Sequence, residues 1–191
     1  MRYFRFFVLI IATMSVLNIT NPAIADSFSN TIKIFKSSPQ VKPFFKSAYG
    51  YAVFPTIGKG GIGIGGAYGK GQVYRGGKVT GKTSMFKGTI GFQLGGQAFS
   101  QIIFFQDKRA YGEFTGGSFE FDANASAVAI TAGAQAQAGT TGTTAGASAG
   151  PRTGEQAKTN YRRGMAIFVH AKGGLMYEAS IGGQKFTFEA L

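Results

Sequence analysis

Two stretches of this chain have the spacing of nucleotide-binding loops. Gly76-Gly77-Lys78-Val79-Thr80-Gly81-Lys82-Thr83 fits G-x-x-x-x-G-K-[ST] at every position. That motif works only between a strand and a helix, where loop and helix N–H groups cradle phosphates. Here it runs into Ser84-Met85-Phe86-Lys87-Gly88-Thr89-Ile90-Gly91, a strand-like run with glycines where the helix should start. A glycine-rich hairpin loop explains it better. Gly61-Ile62-Gly63-Ile64-Gly65-Gly66 fits G-x-G-x-x-G, but Ala67-Tyr68-Gly69-Lys70-Gly71 follows as another turn. No acid occurs between Asp26 and Asp107 to hold a ribose hydroxyl. With 30 glycines in 191 residues, such a match is expected by chance.

Other catalytic groups are sparse. There is no cysteine, which excludes a thiol nucleophile, a disulfide framework and a Cys-based metal site. The single histidine, His170, lies in the strand-like run Ala166-Ile167-Phe168-Val169-His170 with no orienting partner in view. Glu120 and Asp122 share a strand face opposite Phe119 and Phe121, as ordinary solvent-facing alternation requires. No general acid–base pair can be assembled. The expectation is a protein that is not an enzyme and carries no cofactor and no metal.

The elements that hold these residues begin after a leader. Arg2 and Arg5 precede the apolar run Phe6–Leu17, and Ala23-Ile24-Ala25 is an A-x-A signature before Asp26. This is the pattern of a secretory signal peptide over residues 1–25, and the run is short of the roughly 20 residues that span a bilayer. The remaining chain is expected to be secreted or periplasmic, and peripheral where it meets a membrane. Residues 26–48 form an N-terminal helical segment. Phe28, Ile32 and Phe35 recur at i, i+4 and i+7 in Ser27–Lys36, and Ser38-Pro39 opens a second helix that Pro43 shortens.

Residues 49–191 read as a β-rich core. Strands are expected at Tyr49–Phe54 (closed by Pro55), within Lys59–Gly71, and at Gln72–Arg75, Ser84–Gly91, Phe92–Ala98, Ser100–Gln106 and from Ser118. Three more are expected at Met165–Ala171, Leu175–Ile181 and Lys185–Glu189, joined by tight Gly173-Gly174 and Gly182-Gly183 hairpins. Asp107–Phe114 suggests a short helix. Ala132–Gly150 holds almost only small and polar residues, and a flexible loop is expected at about 132–157. The fold class is α+β and β-rich: an antiparallel sheet, sandwich or barrel-like core preceded by one or two short N-terminal helices.

Charge is distributed unevenly. Lys+Arg number 20 against 8 Asp+Glu, a net +12. From Asp26 to Ala110 there are twelve basic residues against Asp26 and Asp107, whereas Tyr111–Leu191 is neutral with six of each sign. The N-terminal half should present a positive field to an anionic partner.

The order of motifs resembles a known family. Tyr49-Gly50-Tyr51-Ala52-Val53-Phe54-Pro55 leads into Lys59-Gly60-Gly61-Ile62-Gly63-Ile64-Gly65-Gly66-Ala67-Tyr68-Gly69-Lys70-Gly71, then Ile90-Gly91-Phe92-Gln93-Leu94-Gly95-Gly96-Gln97, and finally Gly173-Gly174-Leu175-Met176-Tyr177-Glu178-Ala179-Ser180-Ile181-Gly182-Gly183. From about Phe35 to Phe188 this is similar to the SYLF domain family, the yeast actin-patch-related group, in its secreted bacterial branch. Lys82-Thr83-Ser84-Met85 stands where the eukaryotic pattern has a Trp-Ser-Ala-Pro-like stretch. The resemblance implies non-enzymatic binding of anionic lipid, with phosphatidylinositol or phosphoinositide-like headgroups, at a membrane surface. The residues expected to carry it are Lys33, Lys36, Lys42 and Lys46 with the apolar stripe Phe28, Ile32 and Phe35. Lys59, Lys70, Arg75, Lys78 and Lys82 in glycine-rich segments come next. The alternative is an envelope protein-interaction or structural protein, an actin-binding-like scaffold with a protein partner. No nucleic-acid partner is expected, and the oligomeric state stays open.

Overall fold

The computed structural model describes residues 22–121, 127–129, 161–181 and 183–191. Residues 1–21 of the expected signal peptide and the expected loop at about 132–157 lie outside the described residues, as does Gly182. Among the described residues, three helices and six strands follow in the order α1 (Pro22–Ser37), α2 (Phe44–Ser47), β1 (Gly50–Arg75), β2 (Lys78–Phe105), α3 (Lys108–Thr115), β3 (Ser118–Phe121), β4 (Ala127–Ala129), β5 (Met165–Ile181) and β6 (Gln184–Ala190). The fold is β-rich α+β. All strands belong to one sheet, β3-β6-β2-β5-β4 with β1 on the other edge of β2. Every pairing is antiparallel except β4 with β5.

The strands are few and long rather than many and short. β1 has 26 residues and passes through Pro55, and β2 has 28, merging three expected strands. Pro55 sits in a register shift between Phe54 and Ile57, where its missing N–H breaks no ladder bond. Its carbonyl accepts from Ser100 Oγ at 2.7 Å and Lys172 Nζ at 3.2 Å. The expected C-terminal hairpins are not hairpins. β5 runs straight through Gly173-Gly174, which fall at a bulge opposite Ala98/Phe99. β5 and β6 then continue one another along the same edge of β2, with Ile181 opposite Ile90 and Gln184 opposite Lys87. Glycine permits the hairpin conformation without requiring it, and here the long partner strand decides.

Strands this long must bend. At roughly 3.3 Å per residue β1 would extend about 85 Å, twice the width of about 40 Å expected for a compact chain of this size. β1 therefore kinks at Gly61–Gly65, where Gly63 has φ +71° and the ladder shifts between Ile62 and Ile64. A Cβ at Gly61 would lie 2.5 Å from the Ile64 carbonyl oxygen, so the kink admits no side chain there. Beyond the kink the strand returns over its own start. Tyr51 and Tyr74 stack at 5.0 Å, and a Cβ at Gly71 would lie 2.7 Å from the Val53 carbonyl oxygen and from the Phe54 ring. The G-x-x-x-x-G-K-T stretch is the hairpin between β1 and β2. Gly76 and Gly77 have φ +57° and +78°, as a two-residue turn with positive φ at both positions needs.

Folding the ribbon onto itself makes an inner core and an outer one, and strand residues alternate between them. Ile103, Phe105, Ala52, Phe54, Val73, Met85, Ile167 and Phe186 face inward with Phe114 of α3. Ile102, Phe104, Val53, Tyr74, Ala166 and Phe168 face outward beneath Phe28 and Phe35 of α1, Val41, and Phe44 of α2. The uninterrupted apolar run Ile102–Phe105 is thus a strand buried on both faces. α3 starts where the Asp107 carboxylate accepts from Ala110 N–H at 2.8 Å, an N-cap. α2 is a single turn of four residues, because Pro39–Pro43 form turns in place of its first half.

The close approach of the strand to itself yields a test. Gly71→Ala should lower stability by about 1–3 kcal/mol, the scale of forcing volume into packed surroundings. Gly58→Ala, where an added Cβ meets nothing within 4 Å, should stay within about 0.5 kcal/mol. Urea unfolding midpoints of the two variants give the comparison.

Candidate functional site

One face of the β1–β2 ribbon changes character along its length. Counting back by twos from Tyr74, β1 presents Gln72, Lys70, Tyr68, Gly66, Ile64 and Ile62. β2 places Lys82 opposite Gln72, Ser84 opposite Lys70, Phe86 opposite Tyr68, Ile90 opposite Ile64 and Leu94 opposite Ile62. Residues opposite in register share a face. The bend end is therefore aliphatic, the middle aromatic and the far end cationic. Ile62, Ile64 and Ile90 are 80%, 73% and 74% exposed, and Tyr68, Phe86 and Leu94 are each more than half exposed. These side chains form an exposed apolar stretch of the kind that marks a candidate interaction surface.

At the cationic end the face is concave. A cleft of about 630 Å³ opens between β1, β2, β6 and the start of α1. Lys70 and Lys82 line it, with Gln72, Thr83, Ser84, Thr187 and Glu189 as the other polar side chains and Phe28, Tyr68 and Phe188 as aromatic walls. Tyr74 donates its hydroxyl to Gln72 Oε1 at 2.7 Å, which leaves the Gln72 amide N–H groups for a ligand. Burial, with Tyr51 close by, pushes the Tyr74 hydroxyl up to about 12, so it stays a donor. Ser84 Oγ and Thr187 Oγ1 share a hydrogen bond of 2.6 Å across the β2–β6 ladder. Two ammonium groups, an amide and a hydroxyl pair against one carboxylate give a cleft suited to an anionic group.

The twelve residues expected from the sequence do not form one patch. Phe28, Lys70 and Lys82 meet at the cleft. Lys33, Lys36, Lys42 and Lys46 are exposed along α1 and around α2, with the Lys36 ammonium 5.2 Å above the Phe45 ring. Lys59 is half-buried on the bend side of β1 and engaged with neighbours. Arg75 and Lys78 face each other at the hairpin, with the Arg75 guanidinium 5.6 Å over the Tyr111 ring. The apolar stripe of α1 needs a correction as an inserting surface. Phe28 is 7% exposed and Phe35 fully buried, and Ile32 packs partly buried against the same outer core. These side chains hold the helix to the sheet, and the helix offers the surrounding medium its lysines.

Sequence reasoning passed over the bend. Its signal was present in Gly61–Gly66: isoleucines alternate with glycine, so the strand has an apolar face and no polar one. Elsewhere on the sheet His170 lies opposite Ser100. Among the described residues no three His, Cys, Asp or Glu side chains are grouped as a metal would need, and no helix is long and apolar enough to cross a membrane.

No protein-family model matches the chain, and no solved structure does. Among curated proteins it is similar to beta cell expansion factor A of Aeromonas veronii, 29% identical over 161 residues. That alignment covers 83% of this chain and 52% of the relative, so the chain spans about half the length of the curated relative it matches.

The position of His170 sets a pH dependence. Burial, reinforced by the charge of Lys172, holds its imidazole below the ordinary value of 6.5. Between the lowered value and 6.5 the unfolded chain binds more protons than the folded one, so stability is complete above pH 6.5 and declines as pH falls through it. Thermal midpoints should fall as pH drops from neutral to 5.5, a shallow slope because the ring is partly exposed. His170→Gln should flatten that slope without changing the midpoint order of other variants.

Proposed function

We propose that the chain is a non-enzymatic module that binds anionic lipid at a membrane surface, acting after loss of residues 1–25 in a secreted or periplasmic setting. The observation that carries this reading is the cleft. It sets Lys70 and Lys82, the Gln72 amide and the Ser84–Thr187 hydroxyls around one concavity. A lipid phosphate is the anion that a surface protein meets in such a place. Exposed Lys33, Lys36, Lys42 and Lys46 add attraction that a charged leaflet would feel over a Debye length of about 8 Å. The resemblance to SYLF domains points the same way. The relative's name speaks of beta cell expansion, an action of a protein of which this chain matches half.

The test is co-sedimentation of residues 26–191, which retain the buried α1 contacts from Phe28 onward, with anionic and with neutral vesicles at low and high salt. Binding is expected to anionic vesicles only, weakening as salt rises. Lys70→Gln/Lys82→Gln should weaken partition about 30-fold, since each lysine near a charged leaflet contributes about 1 kcal/mol and about 1.4 kcal/mol is tenfold. Binding indifferent to lipid charge, or equal binding by the double variant, would sink the cleft as the headgroup site.

A further inference from the structure

We infer that the bend of the ribbon, and not the N-terminal helix, is the part of this protein that enters the lipid. The inference rests on the membrane-surface reading above and says which residues leave water and how deep they go.

The bend holds Ile62, Ile64, Ile90 and Leu94 on one face with no polar side chain among the register pairs Ile62–Leu94 and Ile64–Ile90. The next side chains along that face are Tyr68 and Phe86, and beyond them are Ser84, Lys70 and Lys82. Aliphatic, then aromatic, then cationic is the order of a leaflet read from acyl chains through interface to phosphate. From Ile64 to Tyr68 is four residues of strand, roughly 13 Å, so with Tyr68 at the headgroups a ribbon lying oblique to the surface reaches only the upper part of the roughly 15 Å of hydrocarbon in one leaflet. Charge agrees too. β1 and β2 carry Lys59, Lys70, Arg75, Lys78, Lys82 and Lys87 and no acid, against which the single acid in register with the bend is Glu178 of β5, opposite Gln93. An anionic leaflet complements such a surface, whereas a protein partner would need an acidic rim around an apolar centre.

The backbone limits the depth. β2 is paired on both edges, but β1 pairs only with β2 among the described strands. Its other edge would leave N–H and C=O groups unpaired in hydrocarbon, which is expensive. The bend therefore enters the upper part of one leaflet, with its free edge toward the headgroups, and does not span. α1 is excluded from the same role because Phe28 and Phe35 are already buried against the sheet.

The chain has no tryptophan, so Ile64→Trp in the full chain is a single depth probe. It reads one position whatever residues 1–25 contribute. With anionic vesicles the Ile64→Trp emission should shift to the blue. Lipids brominated near the headgroup end of the acyl chains should quench it more than lipids brominated near the tail end. Lys33→Trp, on the exposed side of α1, should stay unquenched by either. Ile62→Ser/Ile64→Ser in residues 26–191 should lower vesicle partition about tenfold or more, the scale of losing two buried aliphatic side chains. Its salt dependence should be unchanged, unlike that of Lys70→Gln/Lys82→Gln. Wild-type binding with an unquenched Ile64→Trp, or with Lys33→Trp quenched in its place, would overturn the insertion and leave the headgroup reading intact. So would a vesicle-free dimer dissolved by Ile62→Ser/Ile64→Ser, which would assign the bend to a second copy of the chain. Wild-type indifference to anionic vesicles would overturn both.

Discussion

The length of three strands against the width of the domain governs this structure. β1, β2 and the collinear pair β5–β6 each run for about 26 residues, paired throughout apart from local register shifts. No compact chain of this size can hold them straight. The ribbon has to fold over, and a β-strand folds sharply only where side chains are absent and the ladder can slip. Gly61, Gly63 and Gly65 supply both conditions. Once the ribbon is folded, its two ends must bury each other, and this sets the identity of nearly every inner-core residue. Phe54 at the start of β1 meets Phe186 of β6 at 5.7 Å because the ends have been brought back together.

The fold leaves the same ribbon double-sided at its ends and bare at its bend. At the ends the outward face needs cover, and α1 and α2 provide it through Phe28, Phe35, Val41 and Phe44. This changes the meaning of the N-terminal helix. An apolar stripe flanked by lysines is the same pattern whether it packs on a sheet or floats on a leaflet. The choice depends on whether a matching apolar surface is already close. Ile102, Phe104 and Phe168 provide one, and protein surface held in place by the chain outcompetes a membrane that must first be met.

Most of the fold class was legible in the sequence and most of its connectivity was not. The helical period at Phe28, Ile32 and Phe35 and the short helix expected at Asp107–Phe114 are local readings, and both helices stand there within a few residues. The glycine pairs carried no such certainty. Gly76-Gly77 is a turn and Gly173-Gly174 a bulge within a continuous strand, although the two dipeptides are identical. The difference is the partner: β2 continues past the second pair and holds it extended. The site divides in the same way. Lys70 and Lys82 were named from charge alone, but their meeting with Ser84 and Thr187 depends on β6 pairing with β2 more than 100 residues away in the chain. The exposed isoleucines were read as ordinary strand because exposure is a property of the bend, and the bend belongs to the whole ribbon.

A bare apolar bend would be a liability to a protein that met only water, and the fold had a simple way to hide it. A helix laid over Ile62 and Leu94, as α1 is laid over Phe104, would have closed the surface. Instead, among the described residues, the cover stops at the ends of the ribbon, and the face beyond it is graded, with Tyr68 and Phe86 between the isoleucines and the lysines. The grading gives two contributions of different physical kind. Attraction through Lys70 and Lys82 is screened by salt, and burial of Ile62, Ile64 and Ile90 is not. On the membrane-surface reading proposed above, the first contribution would draw the protein to a charged surface and the second would add a share of binding that salt does not screen. The glycines that allow the bend also keep its two isoleucines of β1 on one side, so the geometry that folds the ribbon and the geometry that aims its apolar face come from the same six residues, Gly61–Gly66.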